Sequence, residues 1–252
     1  MNYVVSNKYK SQNFDNRTKN TKIKYIIIHY TETKNLTEAI KLLSSSKRKV
    51  SCHYIIDTKG KIYNLVQENK RAWHAGISSW SGDLNLNNRS IGVELVNKGE
   101  LSKNNYKVKQ IDSLIKLIID LKQKYFIKDW DILGHSDIAP ERKIDPGIFF
   151  PWEKLSNYSI GLWYNLDKES LKESLDKGLE KIQLIDLYSC LKQIGYSKIN
   201  LKKINGLNLL IINSFHRHYI PKLLGKKPTV ESLIVARNLL QIKKNHIDFS
   251  FK

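Results

Sequence analysis

Three isoleucines in a row, Ile26, Ile27 and Ile28, lie within residues 23–30 (IKYIIIHY). The run is β-branched and too short for a helix. Successive side chains of a strand point to opposite sides, so this strand is apolar on both faces. Such a strand belongs inside a sheet that is covered on both faces, which is the α/β arrangement. His29 follows at its C-terminal end, where open α/β sheets form their ligand crevices.

Residues 134–147 (GHSDIAPERKIDPG) carry the densest chemistry. His135 follows a short apolar run, and after a proline-directed turn Lys143 and Asp145 stand two residues apart. Residues at i and i+2 of an extended segment face the same side, so Lys143 and Asp145 can share one pocket that His135 also reaches. A histidine and a carboxylate on such connections suit a zinc site if a third ligand arrives from elsewhere, and His29 is the candidate. In the segment SIGVELVN (residues 90–97), Ile91, Val93 and Leu95 face one side and Ser90, Gly92 and Glu94 the other. A charged residue mid-strand beside a glycine marks that second face as one that looks into a cleft.

The composition excludes several classes. Hydrophobic residues make up 41% and charged residues 27% of the 252, an ordinary globular balance rather than a disordered one. No apolar run approaches the roughly 20 residues that span a bilayer. The polar N-terminus shows no secretory h-region or cleavage site, so the expectation is a cytoplasmic protein, with a periplasmic location as the alternative. Cys52 and Cys190 lack metal or disulfide spacing and read as small buried residues. The formal charge of +19 raises a nucleic-acid reading, but only seven of the 43 basic residues are arginine. Phosphate and base readers favour arginine for its bidentate fork, so no nucleic-acid partner is expected. The run Lys47-Arg48-Lys49 reads as solvated surface.

Along the chain we expect three parts. Residues 1–20 form a polar arm, residues 21–160 an α/β domain with a mixed central sheet flanked by helices, and residues 166–252 a small helical domain. The first domain alternates strands with a helix near Leu36, a hairpin turning at Gly60, and a helix on the stripe from Val108 to Leu121. The second carries helices at about 170–194, 206–219 and 229–242. Its tail, residues 246–251, alternates like an edge strand, and its apolar helices suggest a homodimer.

Taken in order, five segments resemble the zinc-dependent N-acetylmuramoyl-L-alanine amidases of the type-2 family, which includes T7-lysozyme-type amidases and animal peptidoglycan-recognition proteins. They are IIIHYT, SCHYIID, RAWHAGISSW, LNNRSIGVELVN and GHSDIAPERKIDPGIFFPW, spanning roughly residues 20–155. More weakly, residues 188–240 are similar to the three-helix peptidoglycan-binding domain appended to some of these enzymes, best in FHRHYIP (residues 215–221).

The resemblance implies one zinc per chain on His29, His135 and Asp145, with Glu94 as general base and Lys143 stabilising the oxyanion. It implies Trp73 and His74 lining the substrate groove, Asn88 on the stem peptide, and Arg71 and Arg89 on its carboxylates. The substrate would be peptidoglycan or anhydro-muropeptides, cut between the muramic acid lactyl group and L-alanine. His53 is expected beside the site, and His216 and His218 at the surface or between helices. A non-catalytic peptidoglycan receptor is the competing class. Such a receptor would be expected to lack a metal ligand.

Overall fold

A computed structural model of the chain describes residues 3–167, 177–201 and 205–249. Its centre is a six-stranded mixed sheet. In spatial order the strands are β1 (Val5–Ser6), β5 (Ile62–Asn64), β4 (Tyr54–Ile56), β9 (Ser90–Leu95), β3 (Tyr25–Tyr30) and β10 (Ile132–Gly134). Strands β4, β9, β3 and β10 run parallel, while β5 is antiparallel to β4. Two short pairs flank the sheet: β2 (Phe14–Asn16) with β6 (Lys70–Ala72), and β7 (Ser79–Trp80) with β8 (Asp83–Leu84).

The isoleucine run sits in the middle of this sheet, and its alternation divides two cores. Ile26 and Ile28 join Ile91, Val93 and Leu95 against the apolar stripe of α2 (Val108–Tyr125). Tyr25 and Ile27 turn the other way, into a core shared with the C-terminal helices. Each of these isoleucines is fully buried. Such burial stabilises by roughly 1.5–3 kcal/mol per side chain, so neither face could be left to water.

Helix α1 (Leu36–Leu43) packs beyond the β4–β5 side, its N-terminus capped by the Asn35 side chain accepting from the Glu38 amide. The short α3 (His135–Ile138) begins where β10 ends, and α4 (Trp152–Ser156) closes the α2 core. Helices α5 (Lys181–Ile194), α6 (Gly206–Tyr219) and α7 (Val230–Phe249) cover the second face. No described helix is long and apolar enough to cross a membrane.

Two expectations change. The first twenty residues are not a free arm, since β1 pairs with β5 and β2 with β6. Arg17 fastens this segment further, donating to the carbonyls of Glu68, Asn87, Asn88 and Ser90. The tail is not a strand, because α7 runs on to Phe249. Residues 230–249 contain no glycine or proline to stop a helix, and three alternating apolar residues are too few to overrule it. The start of the helix expected at 170–194 and residues 250–251 of the tail lie outside the described residues, and the described helix begins at Lys181. The apolar faces of helices α5–α7 pack largely against the sheet, while Ile182, Ile185, Leu209 and Leu210 stay exposed.

Candidate metal centre and active site

Three short connections deliver three side chains to one point. His29 is carried by β3, His135 opens α3 directly after β10, and Asp145 lies on the loop that returns past α3. A Cβ at Gly134 would stand 2.7 Å from Pro146 Cδ, so only glycine allows the loop to pass this close. The Ser136 amide donates to the Asp145 carbonyl at 2.9 Å, tying the segments of two of these residues together. The donor atoms form a triangle: His29 Nδ1 to His135 Nδ1 at 3.0 Å, and Asp145 Oδ2 at 2.9 and 3.1 Å from them.

The outer hydrogen bonds assign the protons of both rings. His135 Nε2 meets the Ala75 carbonyl at 3.1 Å, and a carbonyl only accepts, so Nε2 carries the hydrogen. For His29 the assignment runs through a chain. Ser90 Oγ spends its one hydrogen on the Leu86 carbonyl at 2.7 Å, so it accepts from His74 Nε2 at 3.1 Å. His74 Nδ1 is then the acceptor for His29 Nε2 at 3.0 Å. Both Nδ1 atoms therefore present lone pairs toward a carboxylate oxygen. Three converging acceptors without a donor repel one another, and a cation resolves that. Metal bonds of about 2.0–2.1 Å place tetrahedral ligands about 3.3 Å apart, close to the spacing found.

The charge states agree with metal binding. Burial, with a contribution from His135, pushes the His29 pKa down to about 4, so the ring is neutral at pH 7. His74 is held neutral by burial and by its histidine neighbours. Glu94 stands beside His29 in the strand register, and burial and then the Asp145 charge lift it to about 8, against the pull of Lys143. Its Oε2 is buried without a hydrogen-bond partner. These groups share a cleft of about 450 Å³, which is also lined by Trp73, Arg48 and Arg142.

A family model described as N-acetylmuramoyl-L-alanine amidase matches residues 19–148, more than half of the chain. The chain belongs to this amidase family. It is 32% identical over 233 residues to the N-acetylmuramoyl-L-alanine amidase AmiD of Escherichia coli, covering 87% of this chain and 83% of that one. The solved complex of that AmiD with the substrate anhydro-N-acetylmuramic acid-L-Ala-D-γ-Glu-L-Lys superposes with a TM-score of 0.76 at 31% identity, covering 89% and 91% of the two chains. AMPDH3 of Pseudomonas aeruginosa, solved with anhydromuramic pentapeptide, gives 0.75 at 26% identity, covering 96% and 99%.

Within this amidase the residues singled out from sequence divide into two groups. His29, His135, Asp145, Glu94, Lys143, Trp73 and His74 all line the one cleft. His74, however, has both ring nitrogens engaged in the buried chain above, so it is not free to bind substrate. A Cβ at Gly92 would lie 2.4 Å from its ring, which is why β9 carries a glycine there. Arg71, Asn88 and Arg89 do not reach the cleft. Arg71 pairs with Asp15 across β2–β6, and Arg89 pairs with Asp83. The Asn88 side chain meets Thr18 and Thr21. Its neighbour Asn87 is the one that supports the cleft wall, accepting from the His74 and Ala75 amides.

Sequence reading missed two arginines. Arg48, hidden in a basic run, is exposed and lines the cleft. Arg142 lines the cleft too and donates to the carbonyls of Ala75 and Ile77, pinning that segment. Only its position between two site segments could have signalled it. His53 lies beside the site as expected, accepting from the Gly92 amide at 2.9 Å.

Proposed function

We propose that this amidase uses one zinc per chain to hydrolyse the amide between the muramic acid lactyl group and L-alanine, with anhydro-muropeptides as its substrate class. The observation that carries the reading is the triangle of lone pairs from His29, His135 and Asp145 in the same cleft as the unpartnered Glu94 carboxyl. The molecules bound by the two solved relatives support the substrate class.

Zinc, when bound, polarises a carbonyl and brings the pKa of water toward about 7. Glu94 takes the proton of the attacking water and returns it to the departing L-alanine nitrogen, which leaves poorly unless protonated. Its buried Oε2, without a partner in the protein, is free to accept that proton. The Lys143 ammonium stabilises the negative charge that grows on the amide oxygen. Trp73 offers an apolar wall to the substrate, and the Arg48 guanidinium meets a carboxylate of the stem peptide.

Incubation with an anhydro-muropeptide is expected to release a peptide with a free L-alanine amine. A chelator should abolish the release and added zinc restore it. A protein that holds one zinc and binds the muropeptide but releases no peptide would be a receptor instead.

A further inference from the structure

The part of the helical unit most similar to a peptidoglycan-binding domain, residues 215–221, faces the catalytic loop. On α6, Ser214, Arg217 and His218 fall at i, i+3 and i+4, one helix face. Ser214 Oγ donates to the Ser136 carbonyl at 2.7 Å, and the amide of the same Ser136 holds the Asp145 carbonyl. The buried Asp137 carboxylate accepts from three groups: the Gly134 amide at 2.8 Å, His218 Nδ1 at 2.8 Å and Tyr196 Oη at 2.9 Å. Gly134 immediately precedes His135. Arg217 grips Glu100 at 3.0 Å, and the same Glu100 oxygen accepts from the Ile148 amide at 2.9 Å, at the far end of the loop. Trp152 stacks on the His218 ring at 4.0 Å.

We infer that helices α5–α7 act as a strut for the metal centre, with Ser214, Arg217 and His218 as positioning residues that fix the loop of residues 134–148. This rests on the reading that His29, His135 and Asp145 hold zinc. The loop carries two of the three ligands and Lys143, and α6 fastens it near its start and at its far end. The core supports the same role. Tyr25, Ile27 and Leu133 of the sheet pack with Phe215, Leu191 and Leu239 of the helices in one continuous cluster. A module tethered for glycan capture would keep its own core and few crossing contacts. Here these helices cover the β3–β10 part of the sheet's second face, while α1 covers the β4–β5 part.

The test uses the full-length protein and zinc itself, with affinity read by competition against a chromophoric chelator well below the unfolding temperature. His218→Leu removes the donor to Asp137 and should weaken zinc binding roughly 3- to 30-fold, the usual range for coupling through a packed network. His218→Asn keeps an amide donor where Nδ1 stood and should recover most of the loss. Should His218→Leu fail to fold, Ser214→Ala reads the same quantity by deleting a single hydroxyl, with a loss of about threefold expected. Lower melting temperatures with zinc affinity unchanged in both Ser214→Ala and His218→Leu would make the helices mere cover and overturn the strut. A wild-type protein that binds no zinc would bring down the site reading itself, a result distinct from wild-type affinity in the variants.

Discussion

His29, His135 and Asp145 meet at one point, each held by few bonds: His29 Nε2 to His74, His135 Nε2 to the Ala75 carbonyl, and the Asp145 carbonyl to the Ser136 amide. Behind them, α5–α7 hold together through an apolar face spread along three helices. The first region concentrates its chemistry in a handful of atoms, and the second distributes its energy over many. A single substitution should therefore remove function in one and stability in the other. Asp145→Ala is expected to abolish stoichiometric zinc binding and to lower amidase turnover at least about a thousandfold, since the metal's contribution goes with it. Leu239→Ala, fully buried in α7, should cost about 2–5 kcal/mol of stability with zinc stoichiometry unchanged. Metal analysis and denaturant unfolding of the two variants check this, and similar profiles for both would erase the contrast.

Within the first region, metal binding and proton transfer can be separated. Glu94→Gln keeps the size of the side chain and removes its acid–base function. The expected outcome is a fall in kcat of about 10²–10⁴-fold with one zinc still bound. Loss of the metal instead would make Glu94 a fourth ligand.

A smaller effect belongs to the mouth of the cleft. Arg48→Ala should raise KM for a muropeptide about 3- to 10-fold and leave kcat near the wild-type value, as expected for an exposed charge-assisted contact. Arg71→Ala and Arg89→Ala should leave KM alone, because Asp15 and Asp83 engage those guanidinium groups. Steady-state kinetics on all three would show whether the cleft or the sequence neighbourhood decides.

These arginines mark where sequence reading ran out. The buried strand with His29 at its end, the cleft-facing side of β9 and the pairing of Lys143 with Asp145 follow from a period of two, which any sequence displays. The direction of a long polar side chain on a loop does not follow from a period. Arg71, Asn88 and Arg89 stand in segments that reach the cleft, yet each points to a neighbouring strand or loop. Arg48 looked like one of a solvated run. The role of α6 was hidden for a related reason. Helical spacing marks which residues share a face, but not that Ser214, His218 and Arg217 face Ser136, Asp137 and Glu100, which lie 78, 81 and 117 residues away.

The mildest prediction concerns the helical region and acidity. His216 is fully buried, donating from Nδ1 to the Leu223 carbonyl at 2.9 Å and accepting at Nε2 from Ser232 at 2.8 Å. Burial pushes its pKa down to about 4, against a small opposing pull from that carbonyl. In the unfolded chain the ring titrates near its ordinary value of about 6.5. Above that value both states are neutral and the full stability is present. Between about 6.5 and 4 the unfolded chain gains a proton that the folded one refuses, so stability falls as pH falls. Below about 4 both states are protonated and the loss levels off. Between pH 7.5 and 5 this group should cost about 1–2 kcal/mol. His216→Asn can keep the donor to Leu223 and cannot titrate, so its denaturant midpoint should fall less over the same range. Equal falls in the two proteins would assign the acid sensitivity of the fold to the catalytic cluster instead.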